Sequence, residues 1–227
     1  MNNLETKFMG KEIDLLVNYP KANRNLSERL ENKSDTDRAI ARKFEKDFFD
    51  GNRNHGYGGF IYNSRFWKPV IPTFTNYWNL NENKSILDVG CAKGFMMHDL
   101  IEEIQGITVK GIDISNYAIE NCIETVKDHV QVANAMNLPF EDKSFDIVIS
   151  INTVHNLDKE ECAKALLEID RVSKESSFIT VDAYRDEKEK ERMYAWNLTA
   201  KTIMSVDEWK IFFDEIGYTG DYYWFIP

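Results

Sequence analysis

From about residue 85 onward, short apolar runs alternate with segments of helical period, and this alternation restricts the fold more than any other feature. The runs are "SILDVG", "ITVKGIDI", "HVQVA", "FDIVISI", "SFITVDAY" and "YYWFI". Each is rich in Ile, Val or aromatic residues and nearly continuous in its apolar character, as strands buried on both faces are. Between them lie amphipathic segments with capping residues at their starts. Ser115 precedes a stripe of Ala118, Ile119, Cys122, Ile123 and Val126, and Asp158 precedes Cys162, Leu166 and Ile169. Strands that alternate with helices imply a mainly parallel sheet covered on both sides, a doubly wound α/β fold.

The front of the chain has a different texture. "SDTDRAIARKFEKDFFDG" reads as one capped helix, with Ile40, Phe44 and Phe48 on one face and Gly51 as its stop. "HGYGGFIYNSRFW" then mixes glycines with aromatics, which suits a surface folded onto something else. Residues 1–80 are therefore expected to form a helical cap or lid, and residues 81–227 the α/β domain. Charge is divided the same way. Residues 1–68 hold 13 Lys+Arg and 10 Asp+Glu, net +3, although the whole chain of 227 residues is net −10. The overall sign disfavours non-specific binding to nucleic acid, while the front segment suits an anionic partner.

Other features narrow the setting. No run approaches the roughly 18 apolar residues of a membrane span, and the polar start does not read as a signal peptide. Cys91, Cys122 and Cys162 are odd in number and far apart, the usage of reduced thiols in a cytoplasmic protein. No membrane association is expected.

In doubly wound sheets, ligands bind beyond the carboxyl ends of the strands, where strand order reverses. "ILDVGCAKGF" lies at such a point, with the turn Gly90-Cys91-Ala92-Lys93-Gly94. A dinucleotide fingerprint needs glycine where Ala92 stands, and the turn lacks the Lys-Ser/Thr pair of a P-loop. A pyrophosphate ligand is not expected, which disfavours a dehydrogenase.

The spacing resembles the first motif of class I S-adenosylmethionine (AdoMet)-dependent methyltransferases, which have a Rossmann-like fold. The likeness extends over residues 84–185 through "VKGIDI" and "VANAMNLPFEDKSFDIVIS". It implies that Asp88 holds the methionine ammonium and that Gly90, Cys91, Ala92 and Gly94 form the backbone cradle. Asp113, followed by Ile114, would take the ribose hydroxyls. Asn134, Ala135 and Met136 would meet the adenine, with Ser150 on the fourth strand completing the set. Asn134 stands where the family usually has Asp, so its amide oxygen would accept from the adenine amino group. The family's usual antiparallel seventh strand has no counterpart after "YYWFIP", and a partner chain, for example in a homodimer, is the candidate cover for that edge.

Methyl transfer requires alignment of donor and acceptor, and removal of a proton if the acceptor is an alcohol. His155, in "INTVHNL" after the fourth strand, is the candidate base, with packing as its alternative role. His55, Tyr57 and Arg65 from the cap, and Tyr184 and Arg185 after the fifth strand, are candidate acceptor ligands. No metal cluster is expected. The cap resembles bacterial methyltransferases associated with surface-polysaccharide decoration. The acceptor then expected is a small polar or anionic molecule, methylated on an oxygen of a sugar, nucleotide sugar, phosphate or phosphoramidate. An N-methyltransferase and a non-catalytic AdoMet-binding partner subunit are the alternatives.

Overall fold

The computed structural model describes residues 10–20, 34–58 and 61–227. Seven strands build a single sheet: β1 (Ser85–Val89), β2 (Thr108–Asp113), β3 (Val130–Val132), β4 (Phe145–Ile151), β5 (Ser173–Tyr184), β6 (Met204–Ser205) and β7 (Asp221–Phe225). Their order is β3-β2-β1-β4-β5-β6, with β7 also on β5, and every pairing is parallel. The far edge of β5 is shared: β7 pairs residues 178–182 and β6 the last two residues, Ala183 and Tyr184. Strand order reverses between β1 and β4, the position at which such sheets bind ligands.

Alternation along the strands divides the core into two layers. Leu87 and Val89 face one layer with Cys162, Leu166 and Ile169 of α6 (Lys159–Val172) and Trp209 and Phe213 of α8 (Val206–Ile216). Ile86 faces the other, with Phe74 and Trp78 of α3 (Ile71–Trp78) and Met97 and Leu100 of α4 (Phe95–Glu103). Asp158 caps α6 as its sequence implies, in a reciprocal box with Glu161. The two-residue strand β6 was not legible beforehand.

Two expected helices are shorter than their patterns. Ser115 caps α5, but this helix covers only Asn116–Glu120, and the stripe continues in a 3-10 turn, Glu124–His129. Ile123 breaks it with extended backbone because its N–H donates to Lys93 O at 3.0 Å, in the turn after β1. The front helix is likewise split, into α1 (Asp35–Ala41) and α2 (Lys46–Asp50), with Phe44 between them at a left-handed φ of 52°. That kink turns Phe48 and Phe49 inward with Ala41, against Ala118 and Leu198.

The chain covers its own β7 edge in part. Ile13 N–H donates to Tyr222 O and Tyr222 N–H to Lys11 O, both at 3.0 Å. Beyond β5, α7 (Glu187–Trp196) leads into the 197–203 segment that runs past the carboxyl ends of the strands.

Trp209 joins the layers to the site. It is fully buried, and its Nε1 donates to Asp182 O at 3.0 Å. Trp209→Ala is expected to lower stability by about 3–5 kcal/mol. Trp209→Phe, which keeps most of the packing but orphans that carbonyl, should cost about 1–3 kcal/mol; urea unfolding of both variants measures the difference.

Candidate cofactor and active site

The β1 end and the turn after it lie where strand order reverses, at the carboxyl ends of the strands. Gly90 and Cys91 both donate to Ile112 O, at 2.8 and 2.9 Å, folding the turn back over β2. Three of its five residues take positive φ: Gly90 at 87°, Ala92 at 50° and Gly94 at 76°. Gly90 has a second reason to lack a side chain, since a Cβ there would sit 2.2 Å from Thr153 Oγ1. Gly94 is similarly confined, with Val126 Cγ2 2.5 Å from such a Cβ. Neither constraint was readable from the motif alone.

Asp113 ties the two loops together. Its Oδ2 accepts from Ala92 N–H at 2.8 Å, and its Oδ1 accepts from Ser115 N–H at 2.9 Å. Burial raises its carboxyl above the usual range, and the backbone N–H donors oppose that rise. Asp88 is different. It is 4% exposed and has no hydrogen-bond partner among the described residues. Burial lifts its carboxyl to about 8, with the neighbouring Asp113 carboxylate adding to the effect. A nearly buried carboxylate without a donor is fitted to receive a cation.

Ile114 and the Asn134–Met136 segment follow the ends of β2 and β3. Ile114 is 55% exposed, and the Asn134–Met136 segment follows Ala133, whose N–H donates to Asp113 O at 3.0 Å. The Asn134 amide oxygen already accepts from Met136 N–H at 2.9 Å, closing a local turn. Ser150 is used within the sheet: it is fully buried, and its hydroxyl donates to Val89 O at 2.9 Å. The Cys91 thiol is buried, and Sγ–H contacts Ala92 O at 3.8 Å.

His155 does not match a solvent-facing base. It is buried, its Nδ1 accepts from Asp182 N–H at 3.0 Å, and burial lowers its pKa to about 3. With Nδ1 used as an acceptor, the ring proton sits on Nε2, 3.6 Å from Asp182 Oδ1. That approach is within ion-pair range, yet the ring is neutral because burial dominates. The His155 carbonyl accepts from Lys201 and Thr202 N–H, both at 3.0 Å. Tyr57 stands at the same partition. Its hydroxyl accepts from Leu198 N–H at 2.8 Å and Thr199 N–H at 3.2 Å, and its ring stacks on Trp196. Burial, then the Asp182 carboxylate, pushes its phenol up.

The other candidates disperse. His55 Nε2 lies 3.1 Å from Asp37 Oδ1, inside the cap. Arg65 is exposed, with its guanidinium over the Phe66 ring. Tyr184 donates weakly to Glu208 at 3.4 Å, and Arg185 pairs with Glu189 on α7. Groups that the motifs did not single out do gather at the turn. Lys93, buried, holds Asp50 of α2 through Nζ at 2.6 and 2.7 Å, and the Tyr117 hydroxyl donates to the same carboxylate at 2.7 Å. Burial raises the Asp50 carboxyl, but those hydrogen bonds outweigh it and leave it below its ordinary value. Among the described residues, no cluster of three or more His, Cys, Asp or Glu could hold a metal, and no helix is long and apolar enough to cross a membrane.

Asp88 carries a pH signature. Its carboxyl moves from an ordinary 3.8 to about 8 on folding, so the native state keeps a proton that the unfolded chain gives up. Its contribution is complete below about pH 4 and is lost as pH rises toward about 8. Asp88→Asn, neutral and similar in shape, is expected to melt above wild type at high pH, with a gap that closes toward pH 5. Calorimetric melting across that range measures it; a gap independent of pH would contradict the assignment.

A family model described as a methyltransferase domain matches residues 87–181. An uncharacterized Haemophilus influenzae protein is 32% identical, over 61% of this chain and 59% of its own length. A tRNA (carboxymethyluridine(34)-5-O)-methyltransferase of Arabidopsis thaliana is 32% identical over 64% of this chain and 35% of its own. The chain thus spans little more than half of one curated relative and about a third of the other. Among solved structures, YcgJ from Bacillus subtilis superposes with a TM-score of 0.52 at 18% identity, covering 64% of this chain and 66% of that one. A chain of the Haloferax volcanii complex containing the Trm112 methyltransferase activator gives 0.51 at 23% identity, covering 61% and 62%. Residues 87–181 thus match a methyltransferase domain, and the sheet order and glycine turn are those of the Rossmann-like class I methyltransferase fold.

Proposed function

We propose that the protein transfers a methyl group from AdoMet to an oxygen of a small polar or anionic acceptor. The observation that carries the reading is the buried, donorless Asp88 carboxylate beside the Gly90–Gly94 turn. AdoMet presents an ammonium that this carboxylate would hold, a carboxylate and ribose that the turn and Asp113 would receive, and an adenine suited to Ile114 and the Asn134–Met136 segment. Asp113 already accepts two N–H donors, and each of its oxygens keeps a second lone pair for a hydroxyl. Bound in this way, AdoMet supplies an activated sulfonium methyl. The chain's own work is then alignment and exclusion of water, which the cap over Ala92 favours.

His155 enters this reading as a positioning residue. Its lone pair is taken by Asp182 N–H, and a ring with a pKa of about 3 is a weak proton acceptor near neutrality. An acceptor oxygen that is already ionised, as in a phosphate, phosphoramidate or carboxylate, needs no such base. That favours the anionic members of the acceptor class over simple alcohols. The likeness of the cap to enzymes of surface-polysaccharide decoration is consistent with a sugar-linked acceptor of this kind. N-methylation, or a partner subunit that binds AdoMet without turning it over, remains the competing reading, and acceptor-dependent turnover of labelled AdoMet separates these.

Binding of S-adenosylhomocysteine tests the cofactor assignment. Asp113→Ala should weaken it by about 1.5–3 kcal/mol through lost charged hydrogen bonds, and unchanged affinity by calorimetry would sink the ribose role. For His155, the wild-type kcat profile should show no inflection near pH 6.5, since its imidazole titrates far below. His155→Phe should lower unfolding free energy by about 1–3 kcal/mol by orphaning the Asp182 N–H, while leaving S-adenosylhomocysteine affinity within a few-fold. An inflection near pH 6.5 that His155→Phe abolishes would restore the histidine as the base.

A further inference from the structure

On the outer side of the cap, a cavity of about 540 Å³ opens between α1 and the 197–203 segment. Its walls carry Arg38, Arg42 and Lys201 against one carboxylate, Asp35, with the Tyr194 ring as apolar surface. Arg38 and Arg42 stand four residues apart and share one helical face. Their charge is poorly neutralised. Asp35 pairs with Arg38 at 3.3 Å, but its side chain is fully exposed, so water screens the pair. Arg42 donates through Nε and Nη2 to the Thr199 and Ala200 carbonyls, at 3.3 and 3.4 Å. Among the described residues, neither Arg42 nor Lys201 pairs with a carboxylate. Three cations facing one exposed carboxylate, in a chain of net charge −10, make a local field of opposite sign.

The 197–203 segment that lines this cavity is held from its other side. Leu198 and Thr199 N–H reach Tyr57 on the inner side, and Lys201 and Thr202 N–H reach the His155 carbonyl. Asn197 stiffens the segment, its amide bonding Ala200 O at 2.9 Å and Ala200 N–H at 2.8 Å. Hydrogen bonds thus hold this side of the cavity in place.

We propose that this cavity binds a phosphate-bearing small molecule, with Arg38, Arg42 and Lys201 on the phosphate oxygens and Tyr194 against the attached ring. The site goes beyond the methyltransferase reading above and does not depend on it. Guanidinium forks match phosphate oxygens in geometry as well as charge, and the volume suits a sugar phosphate or a nucleoside diphosphate. None of the candidate acceptor ligands chosen from the sequence lines it.

Calorimetric titration of the full chain, saturated with S-adenosylhomocysteine, tests the site with three probes: inorganic phosphate, glucose 1-phosphate and uridine diphosphate. At least one should bind saturably without displacing S-adenosylhomocysteine. Preference for uridine diphosphate assigns the site to nucleotides, preference for glucose 1-phosphate to sugar phosphates, and equal binding to the phosphate alone. Lys201→Ala and Arg38→Ala should each weaken the best probe by about tenfold or more, and Lys201→Glu should abolish binding. All three side chains lie at the surface, and melting curves will verify that the variants fold. Absence of saturable binding by every probe, indifference to Lys201→Glu, or displacement of S-adenosylhomocysteine would overturn the assignment. Failure of the wild type to bind S-adenosylhomocysteine would instead overturn the methyltransferase reading, and the titration without it would still test the phosphate site.

Discussion

Asp113 sits where two loops meet, with one oxygen on the Ala92 N–H and the other on the Ser115 N–H. The turn after β1 would not hold its shape without such a clamp. Ala92 occupies left-handed backbone at φ 50°, which for a residue with a Cβ is disfavoured by about 1–2 kcal/mol. Gly90 and Gly94 on either side take the same region at no such penalty, and the clamp keeps Ala92 with them. The same hydrogen bonds bring Asp113 close enough to Asp88 to raise the latter's carboxyl further. The proton that Asp88 retains thus follows partly from the neighbouring Asp113.

A second constraint couples this turn to the front of the chain. Lys93 lies within the turn, yet its ammonium points to Asp50 of α2, where Tyr117 of α5 also donates. Phe48 and Phe49 follow it down onto Ala92 and Leu198. The ion pair and the aromatic cluster act on the same interface, so any movement of the cap must break both together.

Much of the α/β fold was legible because its physics is local. Continuous apolar runs such as "FDIVISI" can only be strands buried on both faces, and capping boxes such as that of Asp158 mark helix starts directly. The glycine turn after β1 was legible for a related reason, since Gly90 and Gly94 both take the positive φ that glycine favours. What escaped depended on distant partners. The Asn116–Glu120 helix stops early because Ile123 bonds Lys93, and no pattern within the helix reveals that. His155 carried the right chemistry for a base in the right loop, but Asp182 N–H, 27 residues away, claims its lone pair. The acceptor candidates were selected by residue type in the cap loop and after the fifth strand. Arg65 and Arg185 satisfied that criterion and point elsewhere, while Arg38 and Arg42 resembled an ordinary solvated helix face.

The covering of the β7 edge has a kinetic side. Lys11 N–H bonds the Asp221 carboxylate across a separation of 210 residues, and beside it Ile13 N–H donates to Tyr222 O and Tyr222 N–H to Lys11 O. No shorter loop can form these contacts, so they are among the most entropically expensive closures in the molecule. During synthesis, the residues before β1 emerge long before the strand they cover. The growing chain must therefore keep this segment unpaired while the inner strands assemble. Until β7 arrives, the outer edge of β5 is an open template for another strand, and the aggregation hazard of an exposed edge is confined to that interval.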